Sequence, residues 1–153
     1  MMVAVHQVAD VVKVDDMKNI LVLCTGNSCR SQMAEGFLRH YSRGKATIYS
    51  AGIEAHGVNP KAILAMKTDE IDISNHTSNL VDEYSHLNFD YVITVCDNAN
   101  ELCPIFPSKA KKFHHNFPDP AKAIGTDEEI IYQFARVRDL IKDYCRTFIV
   151  ENL

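Results

Sequence analysis

Two short apolar runs with little polar alternation, NILVL at 19–23 and YVITV at 91–95, most constrain what this chain can fold into. Strands buried on both faces read this way, and they belong to sheets covered on both sides. ATIYSAG (46–52) and KKFHHNF (111–117) read as two further strands. Helical patterns lie between them, over 31–41, over 59–70 with Pro60 in the first turn, and over the short segments 78–85 and 97–103, the last stopped by Pro104. Thr126-Asp127-Glu128-Glu129 is a capping-box pattern opening a closing helix with apolar residues at Ile130, Phe134, Val137, Leu140, Ile141, Tyr144 and Phe148. This alternation predicts an α/β fold: a three-layer, four-stranded parallel sheet with helices on both faces.

The chain has 153 residues, 46% of them hydrophobic, enough for one domain with a single core. We place that domain at 18–153 and read 1–17, with its uneven apolar pattern, as an N-terminal extension. A formal charge of -4 gives no footprint for nucleic acid. No stretch of 18 apolar residues suggests a membrane span, and no secretory signal opens the chain, so the expected location is the cytoplasm. Five cysteines, an odd number, exclude a fully paired disulfide framework. Their chemistry therefore has to be sought in reactivity, redox exchange or metal binding.

Between the first strand and the first helix lies Cys24-Thr25-Gly26-Asn27-Ser28-Cys29-Arg30-Ser31. In a parallel sheet, a loop feeding a helix at the carboxyl end of a strand turns its backbone N–H groups toward one point. The N–H groups of 25–31, the positive helix end and the planar guanidinium of Arg30 together suit a tetrahedral oxyanion. The same surroundings activate a thiol, because a helix N-terminus and a nearby cation lower thiol pKa values to roughly 3.5–7.5. Cys24 is thus the candidate nucleophile, with Ser31 as a hydrogen-bond donor to it and Gly26 allowing close approach. Cys29 reads as a packing residue in preference to a second reactive thiol.

CTGNSCRS resembles the phosphate-binding loop of the low-molecular-weight protein tyrosine phosphatases. That resemblance implies a flavodoxin-like fold and a general acid in an Asp-Pro loop, which Phe117-Pro118-Asp119-Pro120 supplies through Asp119. Ala121 and Lys122 follow where those phosphatases place aromatic residues that flank a substrate ring.

Cys96 ends the YVITV strand, and Cys103 follows seven residues later. The strand end should bring Cys96 to the sheet edge that carries Cys24. A helix over the seven residues would rise about 10.5 Å, beyond the roughly 7 Å Cα limit of a disulfide, so joining the two requires the helix to unwind. With DPA at 119–121, VCDNANELCP is similar to the thioredoxin-coupled arsenate reductases. For this chain the resemblance implies a monomer in which Cys24 attacks arsenate held by Arg30 while Asp119 protonates the departing oxygen. Cys96 then attacks Cys24, Cys103 attacks Cys96, and thioredoxin reduces the resulting bond. It also implies potassium beside the loop, held by Asn27, Glu35 and Ser50, with Asn79 where a carboxylate is expected. The rivals are ester hydrolysis by the same loop and Asp119, and a noncatalytic oxyanion or thiol-redox sensor. Cys145 is read as core, His114-His115 as two residues on opposite strand faces, and Lys109, Lys111 and Lys112 as a solvated edge.

Overall fold

A computed structural model describes residues 17–97 and 101–153. The expectation of an extension falls almost wholly on residues outside that range. The order of elements is β1 (Lys18–Cys24), α1 (Arg30–Ser42), β2 (Ala46–Gly52), α2 (Pro60–Thr68), a 3-10 turn (Val81–Tyr84), β3 (Tyr91–Thr94), β4 (Lys111–His114), a 3-10 turn (Pro120–Lys122) and α3 (Asp127–Asn152). The four strands form one parallel sheet in the order β2-β1-β3-β4. The chain leaves β1 toward one edge and later crosses to the other, so the switch point lies at the carboxyl end of β1, the favoured place for a ligand.

Period-2 alternation divides β1 between two cores. Ile20, Val22 and Cys24 pack with α1, α2 and α3, whose Met33, Phe37, Met66, Phe134, Ile141 and Phe148 fill the first face. Leu21 and Leu23 face the other way, against Phe89, Val92 and Phe106, with Val81 and Tyr84 of the first 3-10 turn closing the layer. The three layers are those expected. The helix expected at 78–85 is reduced to that 3-10 turn, and β4 ends at His114, so that Phe117 is buried as part of the following loop and not of a strand.

Of the helix expected over 97–103, residues 98–100 lie outside the described residues, and the rest is corrected. Among the described residues, Asp97 and 101–103 are not helical, and Cys96 is joined to Cys103 by a disulfide with Cα atoms 5.7 Å apart. The physical reason is the one anticipated: a helical rise would hold these Cα atoms too far apart to bond. No helix among the described residues is long and apolar enough to cross a membrane.

Candidate active site

Two features at the end of β1 make the loop a receptor for negative charge. The helix α1 starts at Arg30 with no side-chain cap on its first N–H groups and no acidic residue in its first turn. Those orphan donors therefore remain available to an external anion. In addition, Asn27 adopts a left-handed conformation (φ 47°), which turns the loop sharply and which asparagine tolerates better than most residues. Its side chain holds the turn in place: Oδ1 accepts from the Asn79 N–H at 2.7 Å, and Nδ2 donates to Ser31 Oγ at 2.8 Å and Ser50 Oγ at 3.0 Å.

Gly52, the parallel partner of Cys24 in the β1–β2 register, is a site residue that sequence reading missed. A Cβ placed there would lie 2.6 Å from the Thr25 carbonyl oxygen, 2.7 Å from that of Glu54 and 2.8 Å from the Asn27 nitrogen. All three are backbone atoms that cannot swing aside. At Gly26 a Cβ would meet the His56 ring, which can move.

Cys24 is 2% exposed at the floor of a cavity of about 340 Å³, whose walls include Arg30, His56, Glu101, Asp119 and Lys122. Its sulfur lies 2.8 Å from Ser31 Oγ. Thr25, Gly26, Ser28 and Cys29 line the same cavity, whereas Asn27 and Ser31 are wholly buried behind it. Burial, reinforced by Asp119, pushes the Cys29 thiol up to about 12, which keeps it protonated near neutrality and fits packing. Cys145 lies in the core beneath α1, and burial raises its pKa far above the ordinary value.

Arg30 is 3% exposed. Its Nη1 donates to the Phe117 carbonyl at 3.1 Å, its Nη2 lies 3.7 Å from Asp119 Oδ2, and its Nε is buried with no hydrogen-bond partner. Asp119 sits at the cavity mouth, its Oδ1 accepting from the Ala121 N–H at 3.0 Å. The loop with its Arg30 and the segment carrying Asp119 thus come together from two separated parts of the chain. Ala121 and Lys122 stand at the rim, and neither offers an aromatic wall.

The disulfide brings a further residue that sequence reading missed. Glu101 reaches Arg30 with both carboxylate oxygens, at 2.5 Å from Nη1 and 2.6 Å from Nη2, and accepts from the Thr25 hydroxyl as well. Burial works against its charge, but the bonds from Arg30 and Thr25 prevail and hold the carboxyl at about 2. Cys96 is fully buried, while Cys103 is half-buried between Leu102 and Ile105, which are 74% and 82% exposed.

Behind the loop, Glu35 is buried. Its Oε1 accepts from the Ser50 hydroxyl at 2.6 Å and its Oε2 from Arg39 Nη2 at 2.6 Å. Arg39 Nη1 also lies 3.0 Å from His76 Nε2, while His76 Nδ1 lies 3.0 Å from Gln32 Oε1. Gln32 Nε2 donates to the Asn27 carbonyl and to that of Thr77. With its amide nitrogen so committed, Gln32 presents its oxygen to His76, which must carry its proton on Nδ1 and accept from Arg39 through Nε2.

Residues 19–153 match the sequence profile of the family described as "Low molecular weight phosphotyrosine protein phosphatase", and the chain belongs to that family. Within it, similar relatives are arsenate reductases. That of Halalkalibacterium halodurans is 53% identical over 131 residues, 86% of this chain and 94% of that protein. That of Bacillus subtilis is 51% identical over 131 residues, again 86% of this chain and 94% of that protein. A solved structure described as "An arsenate reductase in the phosphate binding state" superposes with a TM-score of 0.75 at 32% identity, covering 88% of this chain and 98% of that one.

Proposed function

We propose that this protein reduces arsenate to arsenite through Cys24 and a disulfide relay completed by a thioredoxin-type dithiol. The observation that carries this reading is a cysteine pair, Cys96 and Cys103, joined directly beside an oxyanion loop. A phosphatase needs one thiol; reduction of arsenic(V) needs two electrons, which two thiols supply on becoming a disulfide.

The steps balance as follows. The Cys24 thiolate bonds to arsenic as an arsenate oxygen leaves, protonated by Asp119. Backbone N–H groups of the loop and Arg30 bind the charge that accumulates on the remaining oxygens. Cys96 attacks the Cys24 sulfur, and the S–As electron pair stays on arsenic, which departs as arsenite. Cys103 then attacks Cys96, returning Cys24 as a thiolate and leaving Cys96–Cys103. A partner dithiol gives two electrons and two protons to that bond and becomes a disulfide itself. The exposed Leu102 and Ile105 provide apolar surface beside Cys103 for the partner.

The experiment is arsenite formation by the purified protein with thioredoxin, thioredoxin reductase and NADPH, wild type against Cys103→Ser. Sustained turnover that falls to at most one equivalent in the variant is the expected result. No arsenite from reduced, folded wild type would shift the reading to hydrolysis of phosphate monoesters, which the family, the loop and Asp119 also support and which needs neither Cys96 nor Cys103. Binding without either reaction would favour a sensor.

We infer that the charge expected of potassium is supplied by Arg39. The Glu35 carboxylate already has the Arg39 guanidinium as its charge partner and accepts from Ser50, while Asn27 Oδ1 accepts from Asn79, so little uncompensated negative charge is left to attract a cation.

A further inference from the structure

We propose that Glu101 is a built-in substitute for the oxyanion, occupying Arg30 when Cys96–Cys103 is closed and so excluding substrate from the oxidised protein. This deepens, and rests on, the reading of the loop as an oxyanion site. Glu101 takes the two-pronged edge formed by both Nη atoms of Arg30, leaving Nε as the guanidinium's remaining donor without a partner. It also takes the Thr25 hydroxyl and accepts from the Asp97 N–H at 3.2 Å. Its side chain is 7% exposed, so a doubly charged oxyanion entering the cavity would face a carboxylate with little water between them. Carboxylate and oxyanion therefore compete.

The covalent geometry makes that competition depend on redox state. Glu101 lies two residues before Cys103, whose Cα the disulfide holds 5.7 Å from that of Cys96, and Glu101 meets Thr25 at the end of β1. Reduction by a dithiol, with two electrons and two protons entering and the S–S bond opening, removes the covalent constraint that holds Glu101 over Arg30.

The consequence for the reaction is an order of events. Cys103 frees Cys24 in the step that closes the disulfide. Without a block, that thiolate could take up a second arsenate while Cys96 and Cys103 hold no electrons to reduce it. Glu101 bars this until the external dithiol has acted. By linkage the effect is reciprocal: an oxyanion bound to the reduced protein disfavours disulfide closure to the same extent that closure weakens its binding.

The test uses inorganic phosphate, titrated calorimetrically into the full chain in its reduced and its disulfide-closed forms, for wild type, Glu101→Gln and Glu101→Ala. Phosphate should bind the oxidised wild type at least about tenfold more weakly than the reduced one, and the gap should shrink below about threefold in both variants. Equal affinity in the two wild-type forms overturns the inference, as does a gap that persists in both variants. Absence of binding to reduced wild type would instead overturn the oxyanion site itself. A second readout needs no variant: phosphate should make the Cys96–Cys103 potential less negative, by about 30 mV at saturation for each tenfold preference. A potential indifferent to phosphate overturns the inference even if both variants fail to fold.

Discussion

Ser31 Oγ lies 2.8 Å from the Cys24 sulfur, and to Cys24 acting as a thiolate only the Ser31 hydroxyl can donate. Asn27 Nδ2 gives a proton to Ser31 Oγ and another to Ser50 Oγ, and the Ser50 hydroxyl in turn donates to Glu35. Ser31 is left with its own proton to direct at the sulfur. The nucleophile is therefore served by a chain of bonds that begins at a buried carboxylate on the far side of the loop. Hydrogen bonds to charged groups contribute about 1.5–3 kcal/mol, so Ser31→Ala should lower kcat/KM for arsenate about 10- to 100-fold. Steady-state kinetics on a variant whose circular dichroism matches wild type checks this; an unchanged kcat/KM would remove Ser31 from the chemistry.

At Gly52 the loop and the second strand meet without space for a methyl group. The three nearest atoms to an added Cβ, at 2.6–2.8 Å, are all backbone, so Gly52→Ala must displace the oxyanion loop or β2. Overpacking of this kind costs about 1–3 kcal/mol, read as a lower urea midpoint together with weakened phosphate binding. Gly26→Ala meets only the half-exposed His56 ring. Its defect should be milder and should be relieved in the Gly26→Ala, His56→Ala double variant, whereas no partner change should relieve Gly52→Ala.

The oxyanion loop was legible because its logic is local: β1, an eight-residue turn and the start of α1 are contiguous. Three of the four strands were legible for the same reason, from apolar runs of the right length, whereas β4, with Phe113 its one apolar residue, was expected over 111–117 and ends at His114. Gly52 was not, since its importance comes from lying opposite Cys24, and no residue-by-residue signal prints a register between strands. Glu101 was hidden more deeply. It is 71 positions from Arg30, inside a segment whose spacing suits a helix, and it meets the guanidinium beside the closed Cys96–Cys103 bond. Glu35 could have been a ligand to a cation or a solvated residue of α1; burial with Ser50 and Arg39 was decided by how α1 lies against β2.

The pairing of Glu35 with Arg39 makes the need for potassium testable. Replacing KCl by NaCl should leave wild-type stability and kcat within about twofold, since the Glu35 charge already has a guanidinium partner at 2.6 Å. Removing that partner leaves a buried carboxylate unpaired, a loss of several kcal/mol in a closed interior, but Arg39 is 52% exposed and its contribution is screened. Arg39→Ala should therefore cost about 1 kcal/mol or less and acquire a stabilisation by KCl over NaCl that wild type lacks. Thermal unfolding in the two salts distinguishes this from a wild type that itself depends on potassium.

His76 should make the fold sensitive to mild acid. Burial lowers its pKa, Glu35 opposes that shift, Arg39 adds to it and Asp72 opposes it. The net result is a ring neutral in the folded protein, as required by an Nε2 that accepts from Arg39. The ordinary pKa is about 6.5, so below that pH the unfolded chain binds a proton that the folded one refuses. Stability is then fully present above about 6.5 and falls as pH drops below it, at no more than about 1.4 kcal/mol per pH unit, until the folded ring also protonates. Protonation at Nε2 removes the bond accepted from Arg39 while Nδ1–H goes on donating to Gln32, so the loss falls on the Arg39 side of the network and not on the bond that leads to the loop. In His76→Gln, which retains a donor and an acceptor but cannot titrate, the decline in urea-unfolding free energy between pH 6.5 and 5 should be shallower than in wild type. Parallel pH profiles for the two proteins would show that the ring titrates alike in the folded and unfolded chains.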